Sequence, residues 1–163
     1  MTPLHVECGI SIHPRCSVHY VRSKVDFEVK ELAVLPEGMY YEGATGGPDW
    51  IELAYLHQDR DRLGGELSVV VEPTDRTPPA IVAKSAKVEQ VRIGGLPGEY
   101  YTGILFQDEY GNVTWQPNDP MATLRWEDNG STYTLFYYST RYPLTKEDLV
   151  RLAENMTLEP VAK

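Results

Sequence analysis

Apolar and polar residues alternate in short runs along much of the chain, and turn residues separate these runs. Gly64-Gly65 and Asn129-Gly130 are two of the turn signals. Short alternating runs bounded by such signals are typical of β-strands. The pattern predicts strands at about residues 17–22, 25–30, 50–56, 66–72, 88–93, 100–107, 122–128 and 131–138.

The clearest predicted unit is a hairpin in the stretch ATLRWEDNGSTYTLFYYS, residues 122–139. A type I′ turn favours Asn129-Gly130, because both of its central residues need a positive φ. Side chains alternate along a strand, so a turn at this dipeptide fixes which residues face each other. The expected apolar pairs are Trp126 with Tyr133, Leu124 with Leu135 and Ala122 with Tyr137. The opposite face is mostly polar, so the hairpin should cover a core on one side.

A helix is predicted after this hairpin, in RYPLTKEDLVRLAENM, residues 141–156. Thr145 is a suitable N-cap, and Asp148 three residues later can complete a capping box. An apolar stripe follows at helical spacing and consists of Leu149, Leu152, Ala153 and Met156. We therefore expect an α+β fold, a largely antiparallel twisted β-sheet with a C-terminal α-helix packed on it. A second short helix is expected near residues 79–90.

Length and composition suit one soluble domain covering residues 1–163. Apolar residues make up 42% of the chain and charged residues 24%, and the net charge is −9. An acidic surface repels phosphate backbones, so nucleic-acid binding is not expected. We predict neither a membrane helix nor a signal peptide, because no run of apolar residues is long enough for a membrane span and no basic region precedes an apolar one.

Three stretches occur in an order that resembles a known family. They are FEVKELAVLPEGMYYEG with WIELAYLH (residues 27–57), VRIGGLPGEYYTGILF (91–106), and ATLRWEDNGSTYTLFYYSTRYPLTKEDLVRLAENM (122–156). The family consists of extracytoplasmic domains of unknown function found at the C-terminal ends of bacterial anti-sigma factors and in outer-membrane lipoprotein-sorting-like proteins. Residues 25–158 form the family-like core. The N-terminal stretch contains neither the zinc-binding segment nor the membrane helix of an anti-sigma factor.

The resemblance implies a non-catalytic sensor or protein-interaction domain in the cell envelope, with a protein partner or an envelope ligand. A lipid or lipoprotein carrier with an apolar cavity in a curved sheet is an alternative, and so is a cytoplasmic location. Membrane anchoring of a full-length form and the oligomeric state stay open. The resemblance brings no catalytic motif, and the chain has no G-x-S-x-G or P-loop sequence. We therefore predict neither an enzyme nor a cofactor.

Cysteine and histidine residues are concentrated in HVECGISIHPRCSVH, residues 5–19. The members of this cluster are His5, Cys8, His13, Cys16 and His19. A small metal-binding protein could use them, since zinc takes four Cys or His ligands. The predicted strand at 17–22 would place positions 16 and 19 on opposite sides, which argues against shared coordination. A Cys8–Cys16 disulfide, two free cysteines and a metal site stay open, and residues 1–24 are interpreted as an N-terminal hairpin extension.

Aromatic residues are abundant and several are adjacent in the sequence. The candidates for a binding surface are Tyr40, Tyr41, Trp50, Tyr100, Tyr101, Trp115 and Tyr138. Adjacent residues on a strand point to opposite faces, so these side chains cannot all be buried on one face. Either a second layer covers the outer ones, or they form an aromatic surface for a ligand or protein, in which Tyr and Trp are enriched.

Overall fold

The structure, a computed structural model, describes residues 4–10, 13–59, 65–78, 86–117, 119–159 and 161. The helices are α1 (Leu4–Cys8), α2 (Val18–Arg22) and α3 (Lys146–Glu154). The strands are β1 (Glu31–Leu32), β2 (Met39–Gly47), β3 (Trp50–His57), β4 (Glu66–Pro73), β5 (Glu89–Ile93), β6 (Leu96–Thr102), β7 (Ile104–Gln107), β8 (Val113–Gln116), β9 (Met121–Asp128), β10 (Ser131–Tyr138) and β11 (Met156–Thr157).

Within these ranges, seven strands form the main sheet in the order β2-β3-β4-β10-β9-β6-β5, with antiparallel neighbours. The predicted β9–β10 register is confirmed, since Trp126 lies opposite Tyr133 and their rings stack 5.3 Å apart. At the turn, Asn129 and Gly130 both have a positive φ. The predicted α+β fold class, a largely antiparallel sheet with a C-terminal helix, is confirmed.

One face of the main sheet, called the inner face here, carries the hydrophobic core. A row of side chains with no solvent exposure crosses five neighbouring strands and consists of Ala44, Leu53, Val69, Leu135 and Leu124. The cover comes from α1, α2, α3 and the segment 28–32, which contribute buried residues to the same cluster. The backbone N–H groups of Lys30 and Leu32 donate to the hydroxyls of Tyr133 and Tyr55, so this segment crosses the inner face.

The C-terminal helix begins as the sequence predicts. Thr145 accepts a hydrogen bond from the Asp148 N–H, and the Asp148 carboxylate accepts one from the Thr145 N–H. Hydrogen bonding of the Asp148 carboxylate to the backbone and the side chain of Thr145 holds the pKa of Asp148 below its ordinary value. The helix stops at Glu154, however, so Met156 is not part of the helical stripe but pairs with Leu32 between β11 and β1.

Two of the predicted strands are wrong. Residues 18–22 form α2, because Ser17 caps the helix by accepting from the Tyr20 N–H and because Val18 and Val21 bury one helical face. Val18 and Val21 are three residues apart, so they share one face of a helix, whereas on a strand they would point to opposite faces. Residues 25–30 are irregular, and the strand β1 starts only at Glu31. Two short helices, α1 and α2, therefore stand where a hairpin extension was expected.

Other boundaries also differ from the prediction. The expected helix near 79–90 falls partly on residues 79–85, which lie outside the described residues, and residues 89–93 form strand β5. The expected strand 100–107 is divided at Gly103, where φ is +101°, into the end of β6 and the start of β7. Strands β7 and β8 then form a separate two-stranded ribbon, in which Trp115 contacts Tyr101 on the outer face.

We expect the Thr145→Ala variant to lose about 1 kcal/mol of unfolding free energy, because the N-terminus of α3 loses its capping oxygen. Chemical denaturation measures this change. Thr140→Ala, at an exposed position before the helix, is the control and should change the value by less than about 0.5 kcal/mol. Equal effects from both variants would contradict the assigned cap.

Candidate functional site

A mostly apolar pocket of about 440 Å³ opens between α2, β1, the edge strand β2 and its neighbour β3. We call it the tyrosine pocket, and its walls consist of Ser17, Val18, His19, Arg22, Glu31, Leu32, Leu35, Met39, Tyr40, Tyr41, Tyr55 and Val161. Small-molecule sites in proteins usually enclose about 300–1,000 Å³ and combine apolar walls with a few polar groups. The pocket fits that description in both size and character.

The loop from residue 33 to residue 38 forms one wall of the tyrosine pocket. Its turn closes through a hydrogen bond of 3.1 Å from the Met39 N–H to the Pro36 carbonyl. Gly38 has a φ of +81° and lies so close to the His57 ring that a Cβ would come 2.5 Å from Nε2. Glycine is therefore required at this turn, which places Leu35 and Met39 together in the pocket wall.

The N-terminal segment is fixed to strand β2 beside the pocket. Cys8 and Cys16 form a disulfide with Cα atoms 4.9 Å apart. The Cys16 N–H donates to the Ala44 carbonyl at 3.1 Å, and the Ala44 N–H donates back at 2.8 Å. The Tyr41 hydroxyl also donates to the Cys16 carbonyl at 2.7 Å. The disulfide and these bonds hold the start of α2, and with it one pocket wall, against the sheet.

Arg22 is the central polar residue of the pocket wall. Its Nη1 pairs with the Glu31 carboxylate at 3.0 Å, and both side chains are less than one-fifth exposed. Its Nε donates to the Val29 carbonyl at 2.7 Å, and Nη2 donates to the Thr157 carbonyl at 3.1 Å. The one guanidinium thus joins α2, the segment before β1, and β11.

Two of the tyrosines that line the pocket pack against each other. The rings of Tyr41 and Tyr55 meet edge to face with centroids 5.6 Å apart, a favourable geometry for aromatic pairs. The Tyr55 hydroxyl accepts a bond of 3.3 Å from the Leu32 N–H. Burial raises the pKa of both phenols well above the usual value, and the charge of Glu31 adds to the shift. Both rings are therefore neutral at physiological pH.

The aromatic residues named from the sequence do not form one surface. Tyr40 and Tyr41 line the tyrosine pocket. Tyr100 lies on the inner face opposite Leu124, whereas its neighbour Tyr101 is buried on the outer face against Trp115. The two remaining candidates are half-buried elsewhere, Trp50 at the start of β3 and Tyr138 on the outer face opposite Met121.

The cysteine and histidine cluster is likewise divided. The disulfide leaves no thiolate on Cys8 or Cys16 to ligate a metal. His5 lies in α1, while His13 and His19 are exposed. Over the ranges that the structure describes, no three His, Cys, Asp or Glu residues are grouped closely enough to hold a metal ion.

His57, at the end of β3, packs against Tyr142 with ring centroids 4.0 Å apart. Its Nδ1 accepts a hydrogen bond of 3.1 Å from the Asp59 N–H. A general base needs a free nitrogen aimed at a nucleophile, whereas this Nδ1 already serves a backbone turn. The contacts of His57 are therefore those of a residue that stabilises the β3 end.

Sequence reasoning missed most of the pocket. Leu35 belongs to the LPEG sequence of the first family-like stretch, which carries no signal for a binding pocket, and Met39 follows it directly. Arg22 and Glu31 are nine residues apart and carry no motif. The one signal available was the group of tyrosines at the start of β2, because Tyr40 and Tyr41 were among the candidate binding residues.

Comparisons of this chain with protein-family models, with functionally characterised proteins and with solved structures find no match. The resemblance to the extracytoplasmic family therefore stays a prediction. No helix in the described part of the chain is long and apolar enough to cross a bilayer.

We expect the Arg22→Met variant to lose about 3 kcal/mol of unfolding free energy, because Glu31 would keep a poorly hydrated charge and two backbone carbonyls would lose their donors. Denaturant unfolding measures the loss. Arg151→Met, on the exposed side of α3, is the matched control, and its effect should stay within about 0.5 kcal/mol. Adding Glu31→Gln to Arg22→Met should restore part of the loss. Similar losses for the two arginine variants would refute the role given to Arg22.

Alkaline pH should destabilise the protein through its buried phenols. Burial raises the folded-state pKa of Tyr41, Tyr55 and Tyr133 above the unfolded value. The contribution of these phenols to the unfolding free energy is therefore fully present below about pH 10, the ordinary tyrosine pKa. It is lost as the pH rises further. Unfolding free energies between pH 8 and 11 should fall less steeply in Tyr55→Phe than in Tyr110→Phe, whose ring is 82% exposed. Identical slopes of unfolding free energy against pH in the two variants would contradict the raised pKa of the Tyr55 phenol.

Proposed function

We propose that this chain is a non-catalytic sensor and interaction domain of the bacterial cell envelope that binds a small ligand in the tyrosine pocket. The observation that carries the proposal is the pocket itself, because it combines about 440 Å³ of mostly apolar space with a polar wall held in place by Arg22. A mostly apolar pocket of this size with a few fixed polar groups has the character of a small-molecule site.

The disulfide supports the proposed location. Disulfides form and persist in oxidising compartments and are rare in the cytosol. The Cys8–Cys16 bridge fixes the segment that leads into α2. Because the bridge helps to hold one pocket wall, an oxidising compartment such as the periplasm or the cell surface would suit this chain. This location agrees with the family that the sequence resembles.

The β7–β8 ribbon supports the interaction part of the proposal. It presents Phe106, Tyr110 and Val113, which are 45%, 82% and 59% exposed. Asp108 fixes the tip by accepting from the Tyr110 and Asn112 N–H groups, both at 2.9 Å. Exposed apolar side chains on a pre-ordered tip are suited to contact with a protein partner. No nucleic-acid partner is proposed, because the chain is acidic.

A carrier for an elongated apolar ligand is the second candidate. Leu35 lines the tyrosine pocket and also a groove of about 260 Å³ along α3, where Leu144 and Leu152 lie. A chain-like ligand could cross Leu35 and occupy both spaces. The middle of the inner face is filled by side chains, so such a ligand would lie at the β2–β3 end of the sheet, not at its centre.

We expect the purified protein to bind Nile red, a neutral apolar fluorescent probe, saturably and with one site per chain. Leu35→Glu should weaken binding at least tenfold, because a carboxylate in the apolar wall must be desolvated when the probe enters. Fluorescence titration measures the dissociation constant.

Val34→Glu is the matched control, since Val34 lies next to Leu35, is 55% exposed and lines the α3 groove but not the tyrosine pocket. Its affinity should remain within twofold of the parent protein. Circular dichroism and unfolding of both variants show whether each is folded. Absence of saturable binding, or equal weakening by both folded variants, would overturn the proposed function.

A further inference from the structure

We propose that the tyrosine pocket selects uncharged, ring-containing molecules over anions and over aliphatic chains. This inference rests on the proposed function, because it names the ligand class of the same pocket. Its basis is the set of hydrogen bonds and the ion pair that already occupy Arg22, Glu31 and the hydroxyls of Tyr41 and Tyr55, together with the kind of apolar surface that is left for a ligand.

The charged groups of the wall cancel each other. The Arg22 guanidinium uses Nη1 for the Glu31 carboxylate, Nε for the Val29 carbonyl and Nη2 for the Thr157 carbonyl. An anionic ligand would have to compete with Glu31 and with two backbone acceptors for the same guanidinium. A cationic ligand would have to displace Arg22 from Glu31 and leave a guanidinium unpaired. Either exchange is costly in a partly buried site.

Three of the uncharged polar groups are engaged as well. The Tyr41 hydroxyl donates to the Cys16 carbonyl, and the Tyr55 hydroxyl accepts from the Leu32 N–H. The Ser17 hydroxyl accepts from the Tyr20 N–H at the start of α2. A charged group carried into the pocket would lose its water and find no counter-charge, a penalty that an uncharged molecule avoids.

The remaining surface favours rings. Tyr40, Tyr41 and Tyr55 contribute aromatic side chains to the wall, and Met39 contributes a side chain with a polarisable thioether. Aromatic pairs gain about 0.5–1.5 kcal/mol beyond the area that they bury, and sulfur–aromatic contacts add a comparable amount. An aliphatic chain of the same size would gain the hydrophobic term alone. His19 lies exposed in the wall of the pocket, where it can meet a polar substituent of a bound ring.

A matched pair of fluorescent probes tests the charge preference. N-phenyl-1-naphthylamine is uncharged, and 8-anilino-1-naphthalenesulfonate has the same ring system with an added sulfonate. We expect the uncharged probe to bind at least tenfold more tightly at pH 7.5, with one site per chain. The ring preference is tested by displacement of the uncharged probe, in which 2-naphthol should compete at lower concentration than 1-decanol.

Two variants test whether the preference for rings arises in the tyrosine pocket. Tyr40→Leu should reduce the advantage of 2-naphthol over 1-decanol, because it removes a ring from the wall. Tyr138→Leu removes a half-buried tyrosine from the outer face and should leave the advantage unchanged. Equal effects of the two variants, with both proteins folded, would overturn the assignment to this pocket.

The outcomes separate this inference from the proposed function. Tighter binding of the sulfonate probe, or better displacement by 1-decanol, would overturn the uncharged-ring class while Leu35-dependent binding still supports a ligand pocket. Absence of saturable, Leu35-dependent binding for every probe would overturn the proposed function and this inference together. Tight, Tyr40-dependent binding of the uncharged ring probes supports both.

Discussion

The guanidinium of Arg22 joins parts of the chain that are far apart in sequence. Its partners are Glu31 and the carbonyls of Val29 and Thr157, so one side chain connects α2, the segment that crosses the inner face, and the strand that follows α3. The apolar inner face of the main sheet needs a cover, and this cover is assembled from short elements that have little stability of their own. Their position on the sheet therefore depends on the polar contacts of Arg22 and on the Cys8–Cys16 disulfide.

The tyrosine pocket follows from the same arrangement. The centre of the inner face is closed by large side chains, but the cover at the β2–β3 end consists of α2, β1 and the loop 33–38, which do not fill the space between them. Because the polar groups needed to hold these elements are bonded to each other, the space that remains is lined mainly by apolar and aromatic atoms. The polar contacts that hold the cover on the sheet thus also leave the pocket with a mainly apolar and aromatic lining.

Local sequence signals predicted the elements whose partners are close in the chain. Asn129-Gly130 and the alternation on either side of it specified the β9–β10 register, and Thr145 with Asp148 specified the start of α3. The N-terminal prediction failed because a general β-rich pattern favoured a strand at residues 17–22, whereas Ser17 caps a helix there and Val18 and Val21 bury one helical face. In a segment of five residues both patterns fit, and only packing against the sheet selects between them.

The sequence by itself therefore determined the α+β class, the central hairpin, the C-terminal helix, the acidic surface and the presence of two cysteines in reach of each other. The tertiary structure alone decided which aromatic side chains share a cavity, since Tyr55 lies on β3 and reaches Tyr41 only through strand pairing. It also decided the partners of Arg22, one of which is Thr157. The physical reason is that pairing within a hairpin or helix is set by residue spacing, whereas contacts between distant segments are set by how the whole core packs.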